Sequence, residues 1–95
     1  MAQREKETKY FAVTALTTAT GVVDENPIRK FLIITNNSAK TVYFGTDKRV
    51  TVSSGMPLYT NTSYIIRATN MYKGPIFAIT EAGTANLRVM EFSIY

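Results

Sequence analysis

Two adjacent carboxylates, Asp24 and Glu25, come closest in this sequence to the spacing of a general acid and base. Neighbouring side chains on an extended chain point to opposite faces, so these two could not act together on one bond. We expect them in a solvated turn before Pro27.

The sequence contains no cysteine and no histidine, which removes thiolate nucleophiles, imidazole bases and the usual zinc ligands. It also lacks the glycine-rich motifs that bind phosphate. We therefore predict that the protein is not an enzyme and holds no metal or cofactor.

Aromatic and basic residues offer binding functions instead. Tyr43, Tyr59, Tyr64 and Tyr72 could form a stacking platform for a sugar, although tyrosine is also common in ordinary strands. The formal net charge of +4 makes nucleic-acid binding a candidate function. One segment resembles a strand of cold-shock proteins, namely Lys73-Gly74-Pro75-Ile76-Phe77. Proteins that bind single-stranded nucleic acids concentrate basic and aromatic residues on one face of a sheet, whereas the Lys and Arg residues here are spread along the chain. Nucleic acid is therefore disfavoured, carbohydrate remains an alternative, and dispersed positive charge fits docking onto an acidic protein surface.

Residues 1–9 form a polar segment of alternating charge, which ends where β-branched and aromatic residues begin. We expect a polar N-terminal arm here. A helix supported by the favourable pair Glu5 and Lys9 is the competing interpretation. The segment lacks the apolar core of a signal peptide, and no apolar run reaches the length needed to cross a bilayer. These features predict synthesis in the cytoplasm and no membrane partner.

The predicted partner-binding surface combines the arm with the tips of two turns. Polar arms of this kind become ordered on binding, and charged turn tips can serve as docking contacts, although a solvated loop is the alternative for the first tip. The residues of this predicted surface are Arg4, Lys6, Lys9, Asp47, Lys48, Arg49, Met71, Tyr72 and Lys73.

A chain of 95 residues has the usual length of one domain, which we assign to residues 10–95 after the arm. Short apolar runs alternate with clusters of Gly, Pro, Asn and Ser, a pattern typical of antiparallel strands. It predicts an all-β fold, either a small antiparallel β-sandwich or a jelly-roll-like barrel. The predicted strands are Tyr10–Leu16, Ile28–Thr35, Lys40–Gly45, Arg49–Ser53, Ser63–Thr69, Ile76–Thr80 and Leu87–Tyr95.

Three turn residues, Gly45, Gly55 and Pro57, are predicted to shape the hairpins rather than to contact a ligand. Gly45 lies between Phe44 and Thr46, where a tight hairpin favours a positive φ. Gly55 and Pro57 lie in a segment that is expected to interrupt the ladder.

Two predicted strands carry large apolar side chains on both faces, at Phe31–Ile34 and at Tyr64–Ile66. A sandwich needs one apolar face, so the second face requires a cover. The chain's own segment Leu16–Val23 could supply it, and another subunit is the equal alternative. The second possibility predicts self-association.

Residues 28–92 contain a series of different turn-and-strand motifs. An apolar strand and an Asn-rich turn occupy Ile33–Ser38, and a Val-Tyr-x-Gly hairpin follows at Val42–Gly45. A Val-Thr strand at Val50-Thr51 leads to a Gly-x-Pro-Leu turn at Gly55–Leu58. The final motifs are an apolar strand at Ile76–Ile79, a Gly-Thr-Ala turn at Gly83–Ala85 and an Arg-Val-x-Glu strand at Leu87–Glu91.

Together these motifs resemble those of small virion proteins of tailed bacteriophages. The resemblance implies a capsid-decorating (cement) role, and a tail, fibre-base or head–tail connector role is the alternative within the same family. It further implies a homotrimer at threefold positions of the capsid, the major capsid protein or another virion protein as partner, and the virion as location. The segment Tyr59–Lys73 departs from the family pattern by being more aromatic and more basic.

Overall fold

The computed structural model describes residues 6–67 and 72–94. Over these ranges it contains no helix of the length and apolarity needed to cross a bilayer. In the described ranges the chain forms eight strands: β1 (Lys6–Ala15), β2 (Thr20–Val23), β3 (Arg29–Asn36), β4 (Val42–Gly45), β5 (Met56–Leu58), β6 (Ser63–Ile66), β7 (Ile76–Thr80) and β8 (Ala85–Ile94).

The strands form two antiparallel sheets of four strands each. Sheet A has the order β1-β8-β3-β6, and sheet B has the order β2-β7-β4-β5. The pairs β1·β8, β2·β7, β3·β6 and β4·β5 make one long antiparallel ribbon, which is rolled up so that β3 also pairs with β8 and β4 with β7. Eight strands arranged in this way make a jelly roll. The predicted all-β sandwich is confirmed.

The core lies between the inner faces of the two sheets. Alternate side chains of β7 and β8 are buried, as expected for strands with one face toward a core. Sheet A contributes Leu32 and Leu87 to the core, and sheet B contributes Val42 and Ala78. All four side chains are almost completely buried.

Strand β1 begins at Lys6, whereas the sequence predicted its start at Tyr10. Lys6 pairs with Ile94, and Lys9 pairs with Glu91, in the ladder between β1 and β8. The arm predicted for residues 1–9 is therefore corrected for residues 6–9, and so is the competing helix. The long strand β8 offers these residues backbone partners, which compensate for their lack of apolar side chains. Residues 1–5, including Arg4, lie outside the described residues.

The segment between β4 and β5 differs most from the sequence prediction. A loop occupies residues 46–55, where we expected a strand over Arg49–Ser53. The hydroxyls of Thr51 and Ser54 each accept a hydrogen bond from the other residue's backbone N–H, both at 3.2 Å. Local bonds of this kind offer the backbone an alternative to a strand ladder. The next segment forms β5 rather than an interruption, and Pro57 is tolerated there because β5 is an edge strand.

Strand β2 was not predicted. It lies in the segment Leu16–Val23, which we considered as a cover for the second apolar face of the predicted strands, and the structure gives this segment a different role. It pairs with β7 in sheet B and buries Val22 and Val23 in the core. The remaining predicted strands agree with the structure to within a few residues over the described ranges.

The loop of residues 46–55 packs against sheet B through Val50, which is 9% exposed. A Cβ atom built on Gly45 would lie 3.0 Å from Cβ of Val50, and one built on Gly55 would lie 2.8 Å from Cγ2 of Val50 and from Cβ of Tyr43. The positive φ expected at Gly45 is wrong, because among the described glycines only Gly83 has one. Gly45 and Gly55 instead provide the space that Val50 occupies.

Replacing Gly55 with alanine is expected to lower the free energy of unfolding by about 1–3 kcal/mol, as overpacking of a filled site does. Its new methyl group would meet Tyr43 and Val50 at 2.8 Å. Gly21→Ala is the matched control, because its Cβ would lie 3.8 Å from the Phe77 ring, an ordinary contact. Urea denaturation of both variants measures the effect, and equal stabilities would contradict this account of Gly55.

Candidate functional site

Arg29, the first residue of β3, is completely buried. Its Nε donates a hydrogen bond to Oε2 of Glu91 at 2.7 Å, and this ion pair joins β3 to β8. Nη1 donates to the carbonyls of Tyr72 at 2.7 Å and Gly74 at 3.2 Å, and Nη2 donates to the carbonyl of Asp24 at 2.8 Å. One guanidinium therefore connects two strands of sheet A with two loops.

A bulge turns Arg29 toward the interior. The register of β3 against β8 shifts between Arg29 and Phe31, and such an irregularity can re-aim a side chain. Unbroken alternation counted back from the buried Leu32 would bury Lys30 and expose Arg29; the structure has the opposite arrangement. Sequence reasoning missed Arg29 for this reason. The available signal was Glu91, an acidic residue in a strand of alternating apolar residues, because a buried carboxylate requires a cationic partner.

The loop at Tyr72–Pro75 is fixed by these bonds and by its own side chain. The Tyr72 hydroxyl donates a hydrogen bond to the Pro75 carbonyl at 2.8 Å. The ring folds over Gly74, where a Cβ atom would lie 2.6 Å from Cζ of the ring. Glycine at this position thus allows the ring to turn back. The ring becomes a rigid wall because both its backbone and its hydroxyl are held.

This ring lines an apolar cavity of about 290 Å³, which we call the aromatic cavity. Two edge strands contribute to it, β5 through Met56 and β6 through Tyr64. The rings of Tyr64 and Phe44 pack with their centroids 4.5 Å apart at an interplanar angle of 44°. Met56 is 64% exposed. The lining residues are Phe44, Gly45, Thr46, Met56, Tyr64, Tyr72 and Ile76.

Of the predicted partner-binding residues that the structure describes, Asp47 and Arg49 line a separate cleft and Tyr72 lines the aromatic cavity. Both turn tips adjoin the lining of the aromatic cavity in sequence. Thr46 in its lining directly precedes Asp47–Arg49, and Tyr72 in its lining directly precedes Lys73. Lys48, Arg49 and Lys73 are exposed. Met71 lies outside the described residues.

Within the first tip, Asp47 and Arg49 form an exposed ion pair, with Oδ2 and Nη2 3.0 Å apart. The side-chain hydrogen bond from Arg49 lowers the pKa of Asp47, helped by the Arg49 backbone N–H, and the same side-chain bond raises the pKa of Arg49. Both groups therefore stay charged, and because their opposite charges largely cancel, Lys48 sets the net charge of this tip.

Lys6 and Lys9 lie apart from the aromatic cavity, on the edge strand β1. Nζ of Lys9 is 3.9 Å from Oε1 of Glu7. Glu7 and Lys9 line a second, polar cavity of about 420 Å³, which also includes Asp24, Glu25 and Glu91. Asp24 and Glu25 are exposed between β2 and β3, as expected for a turn. Among the described residues no three carboxylates are grouped so that they could hold a metal ion.

The four tyrosines considered as a sugar platform do not share one surface. Tyr64 and Tyr72 line the aromatic cavity. Tyr43 lies on the outer face of sheet B, because its neighbour Val42 points into the core, and it lines a separate cleft with Lys40. Tyr59 follows β5 and is 60% exposed.

The outer face of sheet A carries an apolar row that crosses all four strands. The strand register pairs Tyr10 with Met90, Met90 with Ile33, and Ile33 with Ile65. Directly paired residues lie on the same face of a sheet, so these four side chains are neighbours. Tyr10 is 74% exposed, and Ile65 is 41% exposed.

A second apolar pair, Phe31 and Phe92, lies beside this row. Both rings are half-buried, as are Ile33 and Met90. The prediction of strands with two apolar faces is therefore confirmed for β3. Segment 16–23 contributes β2 to the other sheet, so it does not cover this face.

Removing the Arg29 side chain is expected to be strongly destabilising. Arg29→Met would leave Glu91 buried and uncompensated, at a cost of about 3–5 kcal/mol in the free energy of unfolding. The double variant Arg29→Met/Glu91→Leu should remain at least about 2 kcal/mol less stable than the wild type, because the carbonyls of Asp24, Tyr72 and Gly74 would lose their donor. Guanidinium denaturation checks this, and wild-type stability in the double variant would show that the carbonyl bonds are dispensable.

No match to this chain is found among models of known protein families, curated protein sequences or solved structures.

Proposed function

We propose that this chain is a structural protein of a bacteriophage virion, which self-associates and decorates the capsid lattice. The observation that supports the proposal most directly is the apolar row on the outer face of sheet A, from Tyr10 through Met90 and Ile33 to Ile65. A large apolar surface of this kind is typical of a protein interaction site. The motif resemblance to small virion proteins supplies the biological setting.

A second copy of the chain is the occupant that this face fits best. Strands about 4.8 Å apart that rise about 3.4 Å per residue give the four strands a projected area of roughly 500 Å². That is more than half of the ~800 Å² per partner of a standard interface. The face is apolar at its centre, at Ile33 and Met90, and polar at its margin, at Thr8 and Arg88. An apolar centre with a polar rim is the usual anatomy of an interface.

Threefold association leaves other surfaces free to contact the capsid. The two turn tips near the aromatic cavity belong to segments outside the row, and they carry the exposed cations Lys48 and Lys73. Positive tips favour encounter with an acidic lattice surface and make attachment sensitive to salt. A place in the tail or the head–tail connector is the alternative location for the same oligomer.

Self-association predicts that a charge on the apolar row disrupts the oligomer without unfolding the chain. Ile65→Lys should weaken association at least about tenfold, because it would bury an unpaired ammonium at the interface. Tyr59→Lys is the matched control, since Tyr59 is also an exposed apolar residue but lies outside the row. Sedimentation equilibrium measures the mass. A wild-type monomer at micromolar concentration, or equal disruption by both variants, would contradict the proposal.

The virion role predicts that the chain is a stoichiometric component of purified particles. Mass spectrometry of density-purified virions should detect the chain at a copy number comparable to that of the major capsid protein. Cryo-electron microscopy should find it at threefold positions of the capsid. Detection only in separated tails would favour the alternative location. Absence from both fractions would refute the virion role.

A further inference from the structure

The walls of the aromatic cavity are in place without a ligand, and we therefore also call this cavity the socket. The Tyr72 ring is held at its backbone by Arg29 and at its hydroxyl by Pro75, and the Tyr64 ring packs against Phe44. A site with fixed walls does not lose side-chain freedom when it is filled, so more of the contact energy appears as affinity. Its surface is mainly carbon, and its volume of about 290 Å³ is near the lower limit of small-molecule sites. A socket of this size accepts one apolar side chain.

The surroundings of the socket are positively charged. Lys48 belongs to the tip that follows Thr46, Lys73 follows Tyr72, and Arg67 directly follows β6. All three are exposed. Asp47 is engaged by Arg49. Asp24 and Glu25 lie on the loop that bonds the Lys73 backbone, but they line the separate polar cavity. No carboxylate is among the described residues that line the aromatic cavity, so the three cations make its surroundings positive. An apolar socket within a basic rim complements an acidic segment that presents one apolar residue.

The two edge strands at the socket also favour an extended ligand. Strand β6 is the last strand of sheet A, and β5 is the last strand of sheet B. Each contributes a side chain to the socket, Tyr64 and Met56 respectively. An extended peptide that adds to a sheet edge directs alternate side chains toward the interior. Such a peptide can reach the socket with one side chain and place its neighbours over the rim.

We propose that the aromatic cavity binds an extended acidic segment of a partner protein by taking up one of its apolar side chains. This site goes beyond the proposed virion role and does not depend on it. It lies between the sheets, whereas self-association is assigned to the outer face of sheet A. The two ideas can therefore fail separately.

The test titrates the ¹⁵N-labelled full chain with a capped heptapeptide, Asp-Thr-Asp-Leu-Asp-Thr-Asp, and follows amide shifts by NMR. We expect binding in the range of about 0.1–10 mM, weakened by salt, with shifts centred on Phe44, Tyr64 and Tyr72. Two control peptides replace either the leucine with serine or every aspartate with lysine, and both should bind at least about fivefold more weakly. Equal binding of either control, or shifts elsewhere, would overturn the proposal.

Variants of the protein complete the test. Lys73→Glu should weaken binding of the acidic peptide about tenfold, whereas Lys40→Glu should change it less than twofold, because Lys40 lies before β4 in a separate cleft. Met56→Thr should weaken it at least threefold by removing apolar surface at the socket. Thermal melts establish that the variants are folded. Tyr10→Lys changes the apolar row at the opposite edge of sheet A, on β1, and should bind the peptide like the wild type. Titration with monosaccharides is the competing arm, and shifts at the cavity with sugars but not with the peptide would replace this proposal by carbohydrate binding.

Discussion

The architecture depends on a cation held in its interior. Burying the Arg29 guanidinium and the Glu91 carboxylate removes both from water, and an ion pair alone seldom compensates for that cost. Here the same guanidinium also satisfies three backbone carbonyls, at Asp24, Tyr72 and Gly74. Those carbonyls belong to loops that would otherwise have to expose them or leave them unpaired. The ion pair is therefore best understood as a device that closes one end of the jelly roll and fixes the loop carrying Tyr72.

The other end of β3 uses a neutral residue for the same purpose. Asn36 is completely buried, and its Nδ2 donates to the carbonyls of Lys40 at 2.6 Å and Leu58 at 2.8 Å. Its Oδ1 accepts a hydrogen bond from the Ser38 hydroxyl at 2.6 Å. One central strand thus carries a polar anchor at each end, with apolar packing between them. The anchor nearer the aromatic cavity is the charged one, so the rigidity of that site is linked directly to the ion pair.

Sequence patterns were informative where structure is local. Short apolar runs between turn clusters predicted the observed limits of β7 and placed the start of β8 within two residues. Several failures involve contacts that a strand pattern does not reveal, some of them between distant parts of the chain. Residues 6–9 are strand because β8 is there to pair with them. Gly45 is small because of Val50 rather than because of its own φ. The aromatic cavity arises from β4, β6 and the Tyr72 loop, whose rings meet only after the ribbon has rolled up.

The two sheets differ in how their outer faces are covered, and the difference follows from which strands the loops connect. Sheet B is partly covered by the loop of residues 46–55, whose Val50 packs beside Tyr43 against two glycines. Sheet A has no comparable loop among the described residues, because the connections from β6 to β7 and from β7 to β8 join strands in opposite sheets. The apolar row on sheet A is thus left uncovered by the described residues, and the proposed association with another copy would bury it.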